Sequence, residues 1–187
     1  MPAPFDVAVL VGSLRKESYT RKTAKALLVL APEQLKLRFV EIGDLPLYNP
    51  DLEGAEPPAP WKRFRDEVRA ADAVLFATPE YNRSVPGGLK NAIDVGSRPP
   101  KESVWAKKPA AVVSVSPGAI SGFGANHHLR QSLVFLDMPT LQQPEVYLGH
   151  ADKLFDAQGV LINDNTKIFL QQFLAAFAAW VERVGPK

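Results

Sequence analysis

The sequence predicts an α/β protein: one doubly wound domain over residues 1–187, a three-layer sandwich whose five-stranded parallel sheet runs in the order 2-1-3-4-5. Three observations carry this. Short apolar runs alternate along the chain with segments of helical periodicity, the pattern of repeated strand–helix–strand units. The runs at 73–78 and 110–116 are almost wholly apolar, as strands covered on both faces must be. The first strand ends in a sharp turn at Gly12 lined by Ser13, Arg15, Ser18 and Thr20. Backbone N–H groups, hydroxyls and a guanidinium converge there as a phosphate requires, and ligands of open α/β sheets bind where the winding reverses.

Phe5 to Val11 forms the first strand, with Val7, Val9, Leu10 and Val11 crowded together. Ser18 to Leu30 is a helix with Ser18 as N-cap and Pro32 beyond its end. Leu35 to Ile42 alternates as a second strand, and a long loop rich in proline and acid follows from Asp44 to Pro60. Trp61 to Ala71 is the second helix, Ala73 to Thr78 the third strand and Gly88 to Val95 a short third helix. Ala110 to Ser116 is the fourth strand, Asn126 to Leu136 the fourth helix, and Leu141 to Leu148 the last strand, marked by Pro144 as an edge or a bulge. From Asn165 a final helix carries Leu170, Phe173, Leu174, Phe177, Val181 and Val184 at helical spacing, a sheet-covering stripe. This strand order is the flavodoxin-like one.

A chain of 187 residues buries roughly 70% of its extended surface and needs no disulfide or metal to hold together. The absence of cysteine excludes thiol catalysis and metal sites held by thiolate. Charge is nearly balanced, at +2. The basic residues of the first third (Arg15, Lys16, Arg21, Lys22, Lys25) gather around one loop and its helix. Nucleic-acid binding wants a broader stripe with interleaved aromatics. Met1-Pro2-Ala3-Pro4 leads directly into a strand without a cationic apolar leader, and no apolar run approaches the ~20 residues that span a bilayer. The expectation is a cytoplasmic protein with no membrane partner.

The first loop is not Gly-x-Gly-x-x-Gly, so it lacks the bare backbone on which a dinucleotide pyrophosphate lies, and it has no Gly-Lys-Ser/Thr ending. A terminal phosphate monoester, which side chains can wrap, fits it better. The doubly wound order then places the loops after strands three and four beside the same ligand. Both have unusual composition. Residues 78–94 hold Pro79, Pro86, Gly87 and Gly88 with polar groups between, and residues 116–125 hold Gly118, Gly122 and Gly124, whose backbone can approach a flat ligand.

The stretches Gly-Ser-Leu-Arg-Lys-Glu-Ser-Tyr-Thr at 12–20, Pro-Glu-Tyr-Asn-Arg-Ser-Val-Pro-Gly-Gly-Leu-Lys-Asn-Ala-Ile-Asp at 79–94, and the loop 116–124 followed by His128-Leu129-Arg130-Gln131 closely resemble the NAD(P)H-dependent FMN reductase family, nearest to bacterial chromate and quinone reductases. The resemblance runs from about Val7 to Tyr147. It implies FMN as a tightly held cofactor, NADPH or NADH as donor, a quinone, chromate, an azo compound or free flavin as acceptor, and a homodimer or homotetramer with the flavin at a subunit boundary. Carried over by position, Ser13, Arg15, Ser18 and Thr20, with Tyr19 among them, would hold the FMN phosphate. Pro79, Glu80, Tyr81 and Asn82 would run along the isoalloxazine edge, and Ser116 and Gly118 would border the ring from the other side. Arg83 stands where some relatives carry an aromatic and is assigned to the substrate, as positive potential for an anionic acceptor or the donor's phosphate.

No catalytic acid, base or metal ligand is expected, because a flavin accepts hydride and passes on electrons itself while the protein binds, orients and tunes it. Backbone donors in 116–124 could stabilise the charge that reduction builds near N1. Glu80 is read as a backbone participant and not as an acid. His127 and His128, adjacent on a helix, point apart and cannot chelate together. Asp152, Asp156 and Gly159 suit a hairpin turn better than a calcium loop, and Asn91 and Asp94 suit surface polar positions on a helix that the resemblance places at the dimer contact. Two other readings stay open here: a flavodoxin-type electron carrier without turnover of its own, against which the balanced charge speaks, and a regulatory protein that has lost its flavin.

Overall fold

Five parallel strands, β1 (Phe5–Val11), β2 (Leu35–Phe39), β3 (Ala73–Thr78), β4 (Ala110–Val115) and β5 (Val146–Leu148), form one sheet in the order β2-β1-β3-β4-β5. The computed structural model describes residues 3–54 and 56–185; Met1 and Pro2, part of the expected leaderless start, lie outside them. Helices α1 (Tyr19–Leu30) and α5 (Asp164–Val184) cover one face; α2 (Ala59–Ala70), α3 (Gly87–Gly96) and α4 (Phe123–Phe135) cover the other.

Alternation along the strands divides the core. Val7, Val9 and Val11 of β1, with Leu75 and Val113, meet Leu27, Phe173 and Phe177 on the α1/α5 side. Ala8 and Leu10, with Phe76 and Val112, meet Trp61, Phe64, Leu89 and Leu129 on the other. All six residues of β3 and of β4 are buried, which is why those runs read as continuously apolar.

Several boundaries differ from expectation. β2 ends at Phe39 and not at Ile42, because the paired register with β1 stops at Val9 opposite Phe39. One further bond, Val40 N–H to Val9 O at 3.1 Å, lies beyond it, and Val40 and Ile42 are buried in the α2/α3 layer. β5 shrinks from Leu141–Leu148 to Val146–Leu148. Leu141 N–H reaches Ala110 O at 2.8 Å, the chain leaves the sheet around Pro144, which has no N–H to offer, and pairing resumes at Val146. β4 stops at Val115, α2 opens two residues early at Ala59 with Pro60 in its first turn, and α4 opens at Phe123, three residues before Asn126.

The long 44–60 loop is tied down. Trp61 Nε1–H donates to Pro46 O at 3.0 Å, the Tyr48 ring packs tilted against Trp61 at 5.4 Å, and buried Arg65 pairs with Glu53 while donating to Val95 O. Asn91, expected on the surface, is buried: its Oδ1 accepts from Tyr48 N–H at 2.8 Å and its Nδ2 donates to Pro46 O at 3.0 Å. Asp94 stays half-buried, paired with Lys90 at 2.7 Å. Asp156 closes the expected hairpin turn by accepting from Gln158 and Val160 N–H, with Phe155 bridged to Leu161. Among the described residues no cluster of three or more acids and histidines could hold a metal ion, and no helix is long and apolar enough to cross a membrane.

Candidate functional site

The carboxyl ends of β1, β3 and β4 meet at one edge of the molecule, and the three loops named above meet with them. β1 leads into the tightest approach. Gly12 N–H donates to Ala77 O at 2.8 Å, and a Cβ on Gly12 would lie 3.0 Å from Leu89 Cδ2 and 3.2 Å from Pro79 Cδ. Only glycine lets the loop after β1 pass this close beneath the loop after β3.

Beyond it the chain forms a cradle. Ser13 is buried, and its Oγ lies 3.2 Å from the Tyr81 hydroxyl, so the first and second loops touch directly. Ser18 caps α1: its Oγ accepts Arg21 N–H at 3.1 Å, which leaves the hydroxyl proton free to donate outward. Among the described residues the N–H groups of residues 13–17, 19 and 20 donate to no protein acceptor. A run of open donors at a helix N-terminus, with two serine hydroxyls beside it, has the donor set of an anion site. Arg15 is exposed and folds back loosely to Glu17 O at 3.4 Å, and neither Arg15 nor Lys16 makes an ion pair among the described residues. The alternative pairing of Arg15 with the Glu17 or Asp44 carboxylate is absent; Asp44 is held by Arg63 at 2.8 Å.

One of the predicted cradle residues points elsewhere. The Tyr19 ring turns away, stacked on Phe155 at 6.4 Å with Lys22 Nζ above it, so only its N–H faces the loop. Thr20, at the second position of α1, is buried to the same degree as Ser13, and among the described residues its hydroxyl has no protein partner.

The second loop is a rigid two-residue hairpin. Tyr81 and Ser84 exchange N–H···O bonds of 3.1 and 3.0 Å, and Asn82 and Arg83 between them both take positive φ, 51° and 66°. That is the backbone of a type I′ turn, which usually calls for asparagine followed by glycine. Arginine in the second place is strained, and its guanidinium projects into solvent. Pro79 lies over Gly12, Tyr81 is half exposed, and Glu80 turns inward to accept Ala125 N–H at 3.0 Å. Ser84 Oγ meets His128 Nδ1 at 3.0 Å, a second tie to α4.

The third loop is pinned from below. Ser114 Oγ donates to Ser121 O at 2.9 Å, and buried Asn126 supports Ser114 and Val146 O through Nδ2 while accepting from Arg130 Nε–H. Ser116 Oγ accepts Gly118 N–H at 3.1 Å, which closes a local turn. Gly118 therefore offers no free donor, and among the described residues the N–H groups of this loop without a protein acceptor are those of Ala119, Ile120, Gly122 and Gly124.

Sequence reasoning missed an aromatic group beside it. Phe123 and His127 approach ring to ring at 4.2 Å, Phe123 and Tyr147 at 5.5 Å, and Tyr147 Oη lies 3.0 Å from His127 Nε2. Burial, seconded by Glu145, pushes the Tyr147 phenol up to about 12. The two histidines do point apart, one to β5 and one to the Tyr81–Ser84 hairpin. The Phe123–His127 spacing of four residues was the available signal, hidden because Gly122 and Gly124 made that stretch look like loop.

Residues 5–153 match the family model described as NADPH-dependent FMN reductase. A quinone reductase of Pseudomonas putida is 68% identical over 182 residues, 97% of each chain. A 2-hydroxy-1,4-benzoquinone reductase of a Burkholderia species is 44% identical over 94% of this chain and 95% of its own. Among solved structures, the flavoenzyme NAD(P)H:(acceptor) oxidoreductase FerB of Paracoccus denitrificans superposes with a TM-score of 0.91 at 42% identity, covering 97% of this chain and all of its own. By sequence and by fold together, the chain belongs to the NADPH-dependent FMN reductase family.

Proposed function

We propose that this protein takes electrons from NAD(P)H through FMN and delivers them to quinones, and that the three loops described above are where it does so. The observation that carries the placement is the cradle of open N–H groups at residues 13–17, 19 and 20, beside the Ser13 and Ser18 hydroxyls. Ser13 and Ser18 donate to the FMN phosphate, Arg15 folds over it as a charge-assisted partner, and Tyr19 and Thr20 contribute backbone N–H. Pro79–Asn82 and Ser116–Ile120 would border the isoalloxazine, with Tyr81 tied to the phosphate loop through Ser13.

Bound FMN supplies a centre that accepts hydride and releases electrons to a second substrate. The chain's own work is to hold and aim it. The open N–H groups of Ala119 and Ile120 would supply donors for the negative charge that reduction adds. Arg83, set out in solvent by the strained turn, attracts the donor's phosphate or an anionic acceptor such as chromate. Phe123, His127 and Tyr147 form a partly apolar aromatic cluster, with Phe123 tilted against the other two rings, on which a planar quinone would pack. Donor and acceptor use the same opening in turn, which makes turnover ping-pong. A homodimer or homotetramer in the cytoplasm belongs to the same reading; Phe135 of α4, largely exposed at the α3–α4 groove, and its exposed neighbour Val134 suit contact with a second copy.

One visible spectrum tests the core of this. The purified protein, given FMN and desalted, should retain a flavin spectrum that anaerobic NADPH bleaches and a quinone restores, with steady NADPH oxidation when both are present. A protein that stays colourless overturns the reading, and bleaching without quinone-dependent turnover favours an electron carrier.

A further inference from the structure

One carboxylate joins the second loop to α4. The Glu80 side chain is 12% exposed; one oxygen accepts Ala125 N–H at 3.0 Å, in the first turn of α4, and the other stands 3.5 Å from Arg83 Nη1, whose side chain is 71% exposed. Gly124 seals the contact from the helix side, since a Cβ there would lie 3.0 Å from Glu80 Oε2 and 2.9 Å from Arg83 O. Gly122 at the N-cap offers no side chain, and the first turn of α4 carries no acid. The positive end of this helix is therefore met from outside, by a nearly buried charge carried on the loop that borders the flavin ring.

A neutral amide would make the same hydrogen bond to Ala125. What the carboxylate adds is charge. We propose, resting on the FMN placement above, that Glu80 is a positioning residue that also sets how readily the bound flavin takes up electrons. The N-terminus of α4 and the open N–H groups of Ala119 and Ile120 favour the negative charge that reduction adds. Glu80 opposes it, so that electrons are released to the acceptor instead of being held. Arg83 partly offsets Glu80 from the solvent side, so the two act with opposite sign.

Glu80→Gln separates charge from structure, because its amide oxygen still accepts Ala125 N–H. Measured on the FMN-loaded protein, its affinity for oxidised FMN should stay within about twofold of wild type, and its melting temperature should fall by no more than about 2–4 °C, the loss of a favourable charge at a helix N-terminus. Reduced FMN should be held about tenfold tighter relative to oxidised FMN, the order expected of one partly buried charge acting across a site. For a two-electron couple that is a midpoint about 30 mV more positive by dye equilibration. Arg83→Ala, a change at an exposed side chain, should move the midpoint the other way by less. An unchanged midpoint in Glu80→Gln that folds and binds normally reduces Glu80 to a helix cap and overturns the proposal. If that variant does not fold, an unchanged or positively shifted midpoint in Arg83→Ala overturns it instead. A wild-type protein that takes up no FMN defeats the functional reading before either comparison is made.

Discussion

Ser18 is asked to do two jobs, and two substitutions pull them apart. Its Oγ accepts Arg21 N–H at 3.1 Å as the N-cap of α1, and the functional reading gives its proton to the FMN phosphate. In Ser18→Ala both are lost. Loss of the cap costs about 1 kcal/mol, which for a domain of this size lowers the melting temperature of the FMN-free protein by about 2–4 °C. Loss of a hydrogen bond to a charged group costs about 1.5–3 kcal/mol, or about 10- to 150-fold in FMN dissociation constant. Ser18→Asp restores the cap, since aspartate is as good an N-cap as serine and is favoured at the positive end of a helix, so the FMN-free protein should melt at or above the wild-type temperature. The same carboxylate faces the phosphate, so FMN should bind more weakly than to Ser18→Ala. Differential scanning fluorimetry without FMN and titration of flavin fluorescence quenching measure the two separately. If Ser18→Asp binds FMN as tightly as wild type, the phosphate does not sit at the start of α1.

Arg15→Ala should weaken FMN binding by about tenfold or more while leaving the FMN-free melting temperature unchanged, because its one contact is the loose 3.4 Å approach to Glu17 O. Asn91→Ala removes the partners of Tyr48 N–H and Leu45 O in a buried setting and should cost about 2 kcal/mol, read as a lower urea midpoint at constant slope. Arg83→Gly relieves a residue held at φ 66° and should raise the melting temperature by about 2–4 °C, as about 1 kcal/mol of left-handed strain is lost. The same variant should keep its FMN and show a severalfold higher KM for NADPH. Tyr147, with its phenol raised to about 12, binds its proton more tightly folded than unfolded; the stability it contributes is complete below about pH 10 and is lost as pH rises towards 12. Phenolate absorbance should show one of the four tyrosines titrating late, and Tyr147→Phe should remove that step.

The buried half of the fold was legible because its causes are local. Ala73–Thr78 reads as a central strand from its own composition, and Ser18 announces α1 because a cap acts within three residues. What escaped depends on partners far along the chain. The length of β5 is decided by where β4 still offers a partner, and Val113 meets Val146 across more than thirty residues. Asn91 looks like a surface amide until the 45–48 backbone folds onto it. The candidate site divides the same way. Its loops are visible as glycine, proline and hydroxyl clusters, whereas the inward turn of Glu80, the outward turn of the Tyr19 ring and the wall of Phe123, His127 and Tyr147 exist only once α4 and β5 are in place.

The way the three loops are held explains why so few of their side chains need chemistry. Each is fixed by a bond into its neighbour or into the sheet: Gly12 N–H to Ala77 O, Ser13 Oγ to Tyr81 Oη, Glu80 to Ala125 N–H, and Ser114 Oγ to Ser121 O. A site held this way has met the cost of ordering its loops before any ligand arrives, so contacts to the ligand appear directly as affinity. The strain that remains is concentrated at Asn82 and Arg83, the tip of the hairpin. A glycine at position 83 would relax that tip without loosening the Tyr81–Ser84 pairing. The chain carries arginine there, and strain of this kind persists only where the surroundings over-determine it. On the functional reading proposed above, the side chain so displayed would lie on the route by which anionic donors and acceptors arrive, where a fixed cation raises the rate of encounter without contributing to the fold.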